Sequence, residues 1–383
     1  MRYRQLGKTG FQVSEIGFGA WGIGGAWWAG ADDEESLASL AAAFDLGVNF
    51  VDTAPNYGDG RSEELVGKAV ARWPGRIYVS TKVNPMNFKW PAAPGTPLAE
   101  VFPKSWIIES TEKSLKRLGV ECLDLQLLHV WLDEWAGQDE WKEAFLQLKQ
   151  QGKVAAFGLS LNYPLEPDYG AEAIATGLID ACETTYNIWE QAPEEGLFPL
   201  ALEKRVGIIV KSPLDEGALT GKITPETVFP EGSFLEFYFS GDRRREIAER
   251  AERLKFLLRE EGDTLAQAAL RFCLSHPAVT TVVTGMRKAH HARENAAASD
   301  RGPLPQADLA ALARRPRHGL VLAHGDEGAG EAARGRGRHR PALLDRVVEQ
   351  REGGRGTGSA GRLQAHALED LGDRVAHRRR RRQ

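Results

Sequence analysis

Asp52, Tyr57, Lys82 and His129 stand at or just past the ends of short apolar runs: VNFVDT with APNYG behind it, YVSTK, and LDLQLLH. A carboxylate, a phenol, an amine and an imidazole brought together can hold one phenolic proton ready for transfer. An isolated tyrosine ionises at about pH 10 and is a poor acid at neutral pH. A neighbouring ammonium favours the phenolate, so Lys82 is expected to lower the Tyr57 pKa while Asp52 keeps the amine charged and aimed. His129 is suited to hydrogen-bonding a carbonyl oxygen or relaying a proton. Once a hydride reaches the carbon, this set performs carbonyl reduction. A buried Asp–Lys pair or a strand-end histidine is ordinary on its own. Their placement after three consecutive strands is not a packing pattern.

The four can meet only if those runs are neighbouring strands. Residues 2–13 read as a hairpin turning at Gly7, Lys8, Thr9 and Gly10. Eight apolar runs follow, SEIGFG, VNFVDT, IYVSTK, LDLQLLH, VAAFGLS, IDACETT, GIIVKS and VTTVVTG, and read as strands. Helical patterns come after each in turn, near 33–46, 62–72, 104–118, 139–151, 170–176, 195–204, 264–275 and 289–298. Over 104–118, Trp106, Ile107, Ser110, Ser114, Leu115 and Leu118 share one face, with Gly119 as the stop. Asp263 and Thr264 give the N-cap signal for the helix over LAQAALRFCL. Runs without polar alternation suit strands covered on both faces. Eight such units predict an α/β fold, a (β/α)8 TIM barrel over residues 1–312. An insertion, roughly 218–262, separates strands seven and eight and carries a helix starting near Asp242.

The bulk numbers narrow the class. A chain of 383 residues can bury a large core, and a net charge of −4 gives no basic field calling for nucleic acid. Cys122, Cys182 and Cys273 are far apart in apolar stretches and read as small core residues of a reducing compartment. MRYRQLGKTG has no apolar signal core, and no 18-residue apolar run occurs elsewhere, so a soluble cytoplasmic protein without membrane contact is expected. Residues 313–383 change vocabulary: they contain no Phe, Trp, Tyr, Ile, Met, Cys, Asn or Lys, and they finish on Arg378 to Arg382. So few bulky side chains cannot offset ordering entropy, and little stable tertiary structure is expected there. An out-of-frame reading of a GC-rich gene, a plain disordered extension and a basic binding tail all fit that composition.

Two signals are discounted, and a third is kept. Gly17, Gly19 and Gly22 satisfy GxGxxG, but the following GIGGAWWAGAD is too glycine-rich to open the helix a dinucleotide fold requires. His290, His291 and Glu294 have no further ligands nearby, so no metal is expected. Trp21, Trp27, Trp28, Trp90, Trp131 and Trp135 fall mostly on loops after strands; some are expected as core or lid filler and several as an apolar pocket at the barrel mouth.

With those residues in view, the chain resembles the aldo-keto reductases. The matching stretches are GFGAWGIGG, DLGVNFVDTAPNYGDGRSEELVGKA, STK, SLKRLGVECLDLQLLH, GKVAAFGLSLN, TYNIWEQ, PLDEGALTGK and GMRKAHHAREN, covering about residues 1–312 in order. It looks most like the bacterial branch that includes general-stress-type reductases and relatives of potassium-channel β subunits. The resemblance implies reduction of a small carbonyl substrate by NADPH without a metal, by a monomer or small homo-oligomer. Tyr57 would be the acid, supported by Asp52, Lys82 and His129. Ser160, Asn162 and Glu183 would face the carboxamide, with Trp21 beside the ring. Lys211, Ser212, Pro213 and Leu214, with Gly217, Gly221 and Lys222, would wrap the pyrophosphate. Gly285, Arg287, His291, Glu294 and Asn295 would take the adenosine end. A planar cation at Arg287 also suits a 2′-phosphate on chemical grounds. The chain departs from the family at Glu183, usually Gln, where a carboxylate accepts from the amide NH2 but cannot donate to its oxygen. It departs again at His291, often Gln or Arg, and at Ala20, often Thr. The family's usual aromatic-bearing end falls here in the arginine-rich segment. Two other functions fit the same residues: a nucleotide-bound sensor with slow turnover, and a reductase compromised by its altered end.

Overall fold

The computed structural model describes residues 1–313 except 26, 27, 29, 163–165 and 167. The hairpin forms from β1 (Tyr3–Gln5) and β2 (Gln12–Ser14) in antiparallel register, Arg4 opposite Val13. Eight parallel strands then close on themselves: β3 (Ile16–Gly19), β4 (Phe50–Asp52), β5 (Tyr78–Val83), β6 (Leu123–Leu128), β7 (Val154–Ser160), β8 (Ala181–Thr185), β9 (Gly207–Lys211) and β10 (Val279–Gly285). Closure is the pairing of β10 with β3, Val282 opposite Ile16. The (β/α)8 barrel expected from the sequence is the fold.

Among the described residues twelve α-helices surround or extend it. They are α1 (Asp33–Asp45), α2 (Arg61–Arg72), α3 (Leu98–Val101), α4 (Lys104–Leu118), α5 (Asp139–Gln150) and α6 (Ala171–Ala175), then α7 (Leu197–Lys204), α8 (Phe234–Tyr238), α9 (Arg243–Glu252), α10 (Leu265–Ser275), α11 (Ala289–Arg301) and α12 (Gln306–Ala313). The cap signals work as chemistry requires. Thr264 accepts from the Gln267 N–H, and Gly119 closes α4 in the left-handed region at φ 69°. Along α4 the buried face is Ile107, Ser110, Thr111, Ser114 and Leu118. Trp106 and Leu115 are only half-buried there, so the fully covered stripe is more polar than the sequence pattern suggested. The turn after β3 is a 3-10 turn, Gly22–Gly24, and not the first turn of an α-helix.

The strands alternate even though their runs look uniformly apolar. Phe50, Leu125, Leu127, Ala156, Ala181, Ile209 and Val283 form one apolar cluster, closed by Leu6 and Val13 of the hairpin. The other face of each strand joins the larger core under the helices, through Val51, Leu128, Phe157, Leu159, Cys182, Ile208 and Val210. Side chains two apart share a face. Asp52 therefore follows Phe50, His129 follows Leu127, Glu183 follows Ala181, and Lys211 follows Ile209 onto the barrel interior. One finding departs from the cysteine reading: Cys182 and Cys273 are buried, but Cys122 is exposed at the turn before β6.

Candidate active site

Lys82 is completely buried near the end of β5, with its Nζ donating to Asp52 Oδ2 at 2.6 Å and to the Thr53 carbonyl at 3.1 Å. The same ammonium lies 3.5 Å from the Tyr57 hydroxyl and 3.3 Å from Glu183 Oε2. Tyr57 comes from the loop after β4, and two glycines hold that loop in place. Gly58 sits at φ 69°, and a Cβ there would lie 1.8 Å from the Gly24 carbonyl oxygen. A Cβ on Gly24 would in turn meet the Tyr57 carbonyl at 2.6 Å. His129, one residue past β6, places its ring 6.2 Å from the Tyr57 ring and its Nδ1 3.0 Å from Asn84 Oδ1. Asn84 continues the inward face of β5 beyond Lys82, a two-residue spacing readable in the sequence.

Burial is the largest single influence on each of these groups, and the neighbouring charges oppose or reinforce it. It pushes the Tyr57 phenol above its ordinary range, and the adjacent Lys82 ammonium pulls back without winning. This overturns the expectation of a lowered tyrosine: the cation is where it was expected, but desolvation of the phenolate costs more than that cation returns. Burial likewise raises Asp52, with the Glu183 charge adding to it and Lys82 opposing. Burial acts on Glu183 in the same direction, but Lys82 and Lys211 together hold it low. Desolvation, followed by the charges of Lys82 and Lys211, keeps the His129 imidazole neutral.

Beside this group, Ser160 closes β7 and donates to Glu183 Oε1 at 3.1 Å. Asn162 spends both amide hydrogens on backbone, donating to the His129 carbonyl at 2.8 Å and the Ser160 carbonyl at 3.2 Å. Lys211 donates to Ser160 Oγ at 2.8 Å and Asn162 Oδ1 at 3.1 Å, with Glu183 Oε1 at 3.6 Å. Its side chain thus lies among the residues expected around a carboxamide.

The rest of the expected binding set lies on the segments that follow β9 and β10. After β9 the chain turns sharply, with Ser212, Asp215, Glu216, Gly217 and Gly221 all at positive φ. Pro213 is buried, Leu214 half-buried and Lys222 exposed along this strap. Ser212 Oγ donates to Glu216 Oε1 at 2.9 Å. At the end of β10, Gly285 is exposed and its carbonyl accepts from buried Asn295 at 3.4 Å. Arg287 is half-buried with its Cζ 6.0 Å from the Trp28 ring centre. The His291 ring lies tilted beside that of His290, 4.2 Å between centres, and Glu294 is exposed on the same helix. Among the described residues no group of three or more His, Cys, Asp or Glu could hold a metal ion.

The tryptophans divide. Trp131 and Trp135 are core filler, packed edge to face at 5.9 Å. Trp21 lies 6.2 Å from the Tyr57 ring and 5.1 Å from Trp28, and Trp90 lies 5.7 Å from His129. Trp27 is outside the described residues. The sequence reading missed Phe234 of α8, whose ring reaches Trp21 at 4.9 Å and so brings the insertion to the mouth. Within the insertion, Tyr238 donates to Asp215 Oδ1 at 2.6 Å, tying α8 to the strap.

The aldo/keto reductase family model matches residues 15–314. The chain belongs to that family. Aldo-keto reductase YhdN of Bacillus subtilis (strain 168) is 33% identical over 294 residues, 75% of this chain and 86% of the relative. The NADH-specific methylglyoxal reductase of Escherichia coli (strain K12) is 28% identical, covering 78% and 93% respectively. The holo structure of aldo-keto reductase AKR11C1 from Bacillus halodurans superposes with a TM-score of 0.64 at 28% identity, covering 83% of this chain and all of that one. The chain is thus an oxidoreductase of a family that works with a nicotinamide cofactor on small carbonyl compounds. No helix among the described residues is long and apolar enough to cross a membrane.

Proposed function

We propose that this oxidoreductase reduces an aldehyde or ketone to the alcohol with NADPH as donor and Tyr57 as the general acid. The observation that carries the reading is Lys82, fully buried, 2.6 Å from Asp52 and 3.5 Å from the Tyr57 hydroxyl at the strand ends. Bound NADPH would supply the hydride to the carbonyl carbon. Tyr57, kept protonated by burial, gives its proton to the carbonyl oxygen as negative charge builds there. Lys82 then stabilises the phenolate that remains, and Asp52 fixes the ammonium in position. Nδ1 of the neutral His129 faces the Asn84 side-chain amide. With Asn84 Oδ1 accepting at 3.0 Å, Nδ1 carries the imidazole proton and Nε2 is left to accept. Only with the Asn84 amide turned so that its nitrogen faces Nδ1 does Nε2 carry the proton and donate to the carbonyl oxygen.

The residues fit the cofactor. Glu183, Ser160 and Asn162 offer acceptors for an amide NH2, and Trp21 supplies an apolar wall. The strap after β9 carries glycines at 217 and 221 where backbone could approach a pyrophosphate, and Arg287 matches a 2′-phosphate in charge and planarity. The methylglyoxal reductase relative is NADH-specific, so the preference for NADPH rests on Arg287 alone.

Steady-state oxidation of NADPH with para-nitrobenzaldehyde tests the activity, and repeated turnovers are expected; a single turnover would indicate a sensor. Tyr57→Phe should lower reduction by roughly 100- to 10,000-fold while leaving cofactor affinity nearly intact. Unchanged turnover in that variant removes Tyr57 from the acid role.

A further inference from the structure

A primary carboxamide asks two things of its site: acceptors for its NH2 and at least one donor for its oxygen. Counting donors around Ser160, Asn162 and Glu183 exposes a deficit. The Ser160 hydroxyl proton goes to Glu183 Oε1 at 3.1 Å. Both Asn162 amide hydrogens go to backbone carbonyls, of His129 and Ser160. Glu183 is a carboxylate and has nothing to donate. Among these three side chains, therefore, every free position is an acceptor. The ammonium of Lys211 stands among them, 2.8 Å from Ser160 Oγ, 3.1 Å from Asn162 Oδ1 and 3.6 Å from Glu183 Oε1. It carries three protons, two directed at the neutral side-chain oxygens of Ser160 and Asn162 and the third on the side of Glu183, so a carboxamide oxygen entering here would take over one of the two neutral contacts.

We propose that Lys211, and not the strap that follows it, is the donor to the carboxamide oxygen, and that Lys211 and Glu183 act as a pair in holding the nicotinamide. Glu183 accepts from the amide NH2 while Lys211 donates to its oxygen. Together they do what one neutral amide side chain would do alone, at a position where this chain has a carboxylate. The donor is a full cation, so the bond is charge-assisted and stronger than one from a neutral amide. Glu183 balances that cation, which explains why an acid and a base occur together on adjacent strands β8 and β9, Glu183 in register with Ile209 two residues before Lys211.

This inference rests on the proposed cofactor use, and the test keeps the two apart. Fluorescence titration of the full chain is made first with NADPH and with NADH. Binding of neither overturns the cofactor reading itself and this inference with it. The tighter cofactor is then compared with its fragment lacking nicotinamide, 2′-phospho-ADP-ribose or ADP-ribose. Lys211→Met should weaken the complete cofactor on the order of tenfold and leave the fragment nearly unchanged. Adding Glu183→Gln should regain most of that loss, since glutamine both donates and accepts. Equal losses for cofactor and fragment would make Lys211 a merely structural cation and overturn the proposal, as would no loss or no rescue. Should Lys211→Met fail to fold, the unaltered protein still decides with the thionicotinamide analogue. Sulfur is the poorer acceptor, so that analogue should bind several-fold more weakly; equal affinity overturns the pairing.

Discussion

A guanidinium is planar and permanently charged, and Arg287 holds one half-buried just beyond β10, 6.0 Å from the Trp28 ring centre. If it meets a 2′-phosphate, Arg287→Ala should remove about 1.5–3 kcal/mol of charge-assisted bonding from NADPH and little from NADH. Parallel titrations of both cofactors check this, and a uniform loss would argue against the contact. Glu216 gives a second prediction at this scale. Burial raises its carboxyl from 4.5 to about 7, with the Ser212 hydrogen bond opposing. The folded protein therefore holds that proton more tightly than the unfolded chain does. Its contribution to stability is largest below pH 4.5 and is lost as pH rises to about 7. Glu216→Gln should flatten this part of the profile, as read by thermal melting across that window. A slope unchanged from the unaltered protein would show that Glu216 does not titrate as argued. At this scale the sequence was informative about identity and poor about environment. Tyr57, Lys82 and Asp52 were legible from spacing after the strands. The direction of the Tyr57 shift was not, because desolvation depends on what the fold places over the phenol.

Tyr57 depends on a loop, and that loop depends on Gly24 and Gly58 meeting backbone to backbone. Gly58→Ala should cost about 1 kcal/mol or more for its left-handed φ, and its methyl would also strike the Gly24 carbonyl at 1.8 Å. The loop must then move, and with it the phenol. The expected outcome is a fall in kcat of at least roughly tenfold, since a displacement of about 1 Å at a reacting group is costly. Cofactor affinity should change little; a normal kcat with a lowered melting temperature would mean the loop repacks without moving Tyr57. The elements themselves were readable where a period repeats, as over α4 and α10. They were not readable in the insertion, where α8 has only five residues, FLEFY, beyond a Ser233 cap. A helix that short has no period to detect. Its meaning lies in tertiary contacts, Phe234 on Trp21 and Tyr238 on Asp215, that bring the insertion to both the mouth and the strap.

At the scale of the molecule, the alternation hidden in apolar-looking strands organises everything else. Small, bulky and charged side chains take turns on the inward face, so an apolar plug from Leu6, Val13, Phe50 and Leu127 lies below a polar layer ending in Asp52, Lys82, Glu183 and Lys211. Eight units were legible by counting, and the two-residue parity from Ile209 sets Lys211 on the same inward face as Asp52 and Glu183. The described fold runs through α12, where Leu312 is buried and Asp308 pairs with Arg259. Beyond Ala313 the sequence has no aromatic residue and no isoleucine, so it has little apolar surface with which to offset ordering. We therefore expect a chain ending at Ala313 to keep the melting temperature, the nicotinamide-cofactor affinity and the turnover of the full chain. Side-by-side melts with and without NADPH check this. A drop of several degrees in the shortened chain would assign residues 314–383 a part in the fold, and a lost cofactor shift would assign them a part in the site.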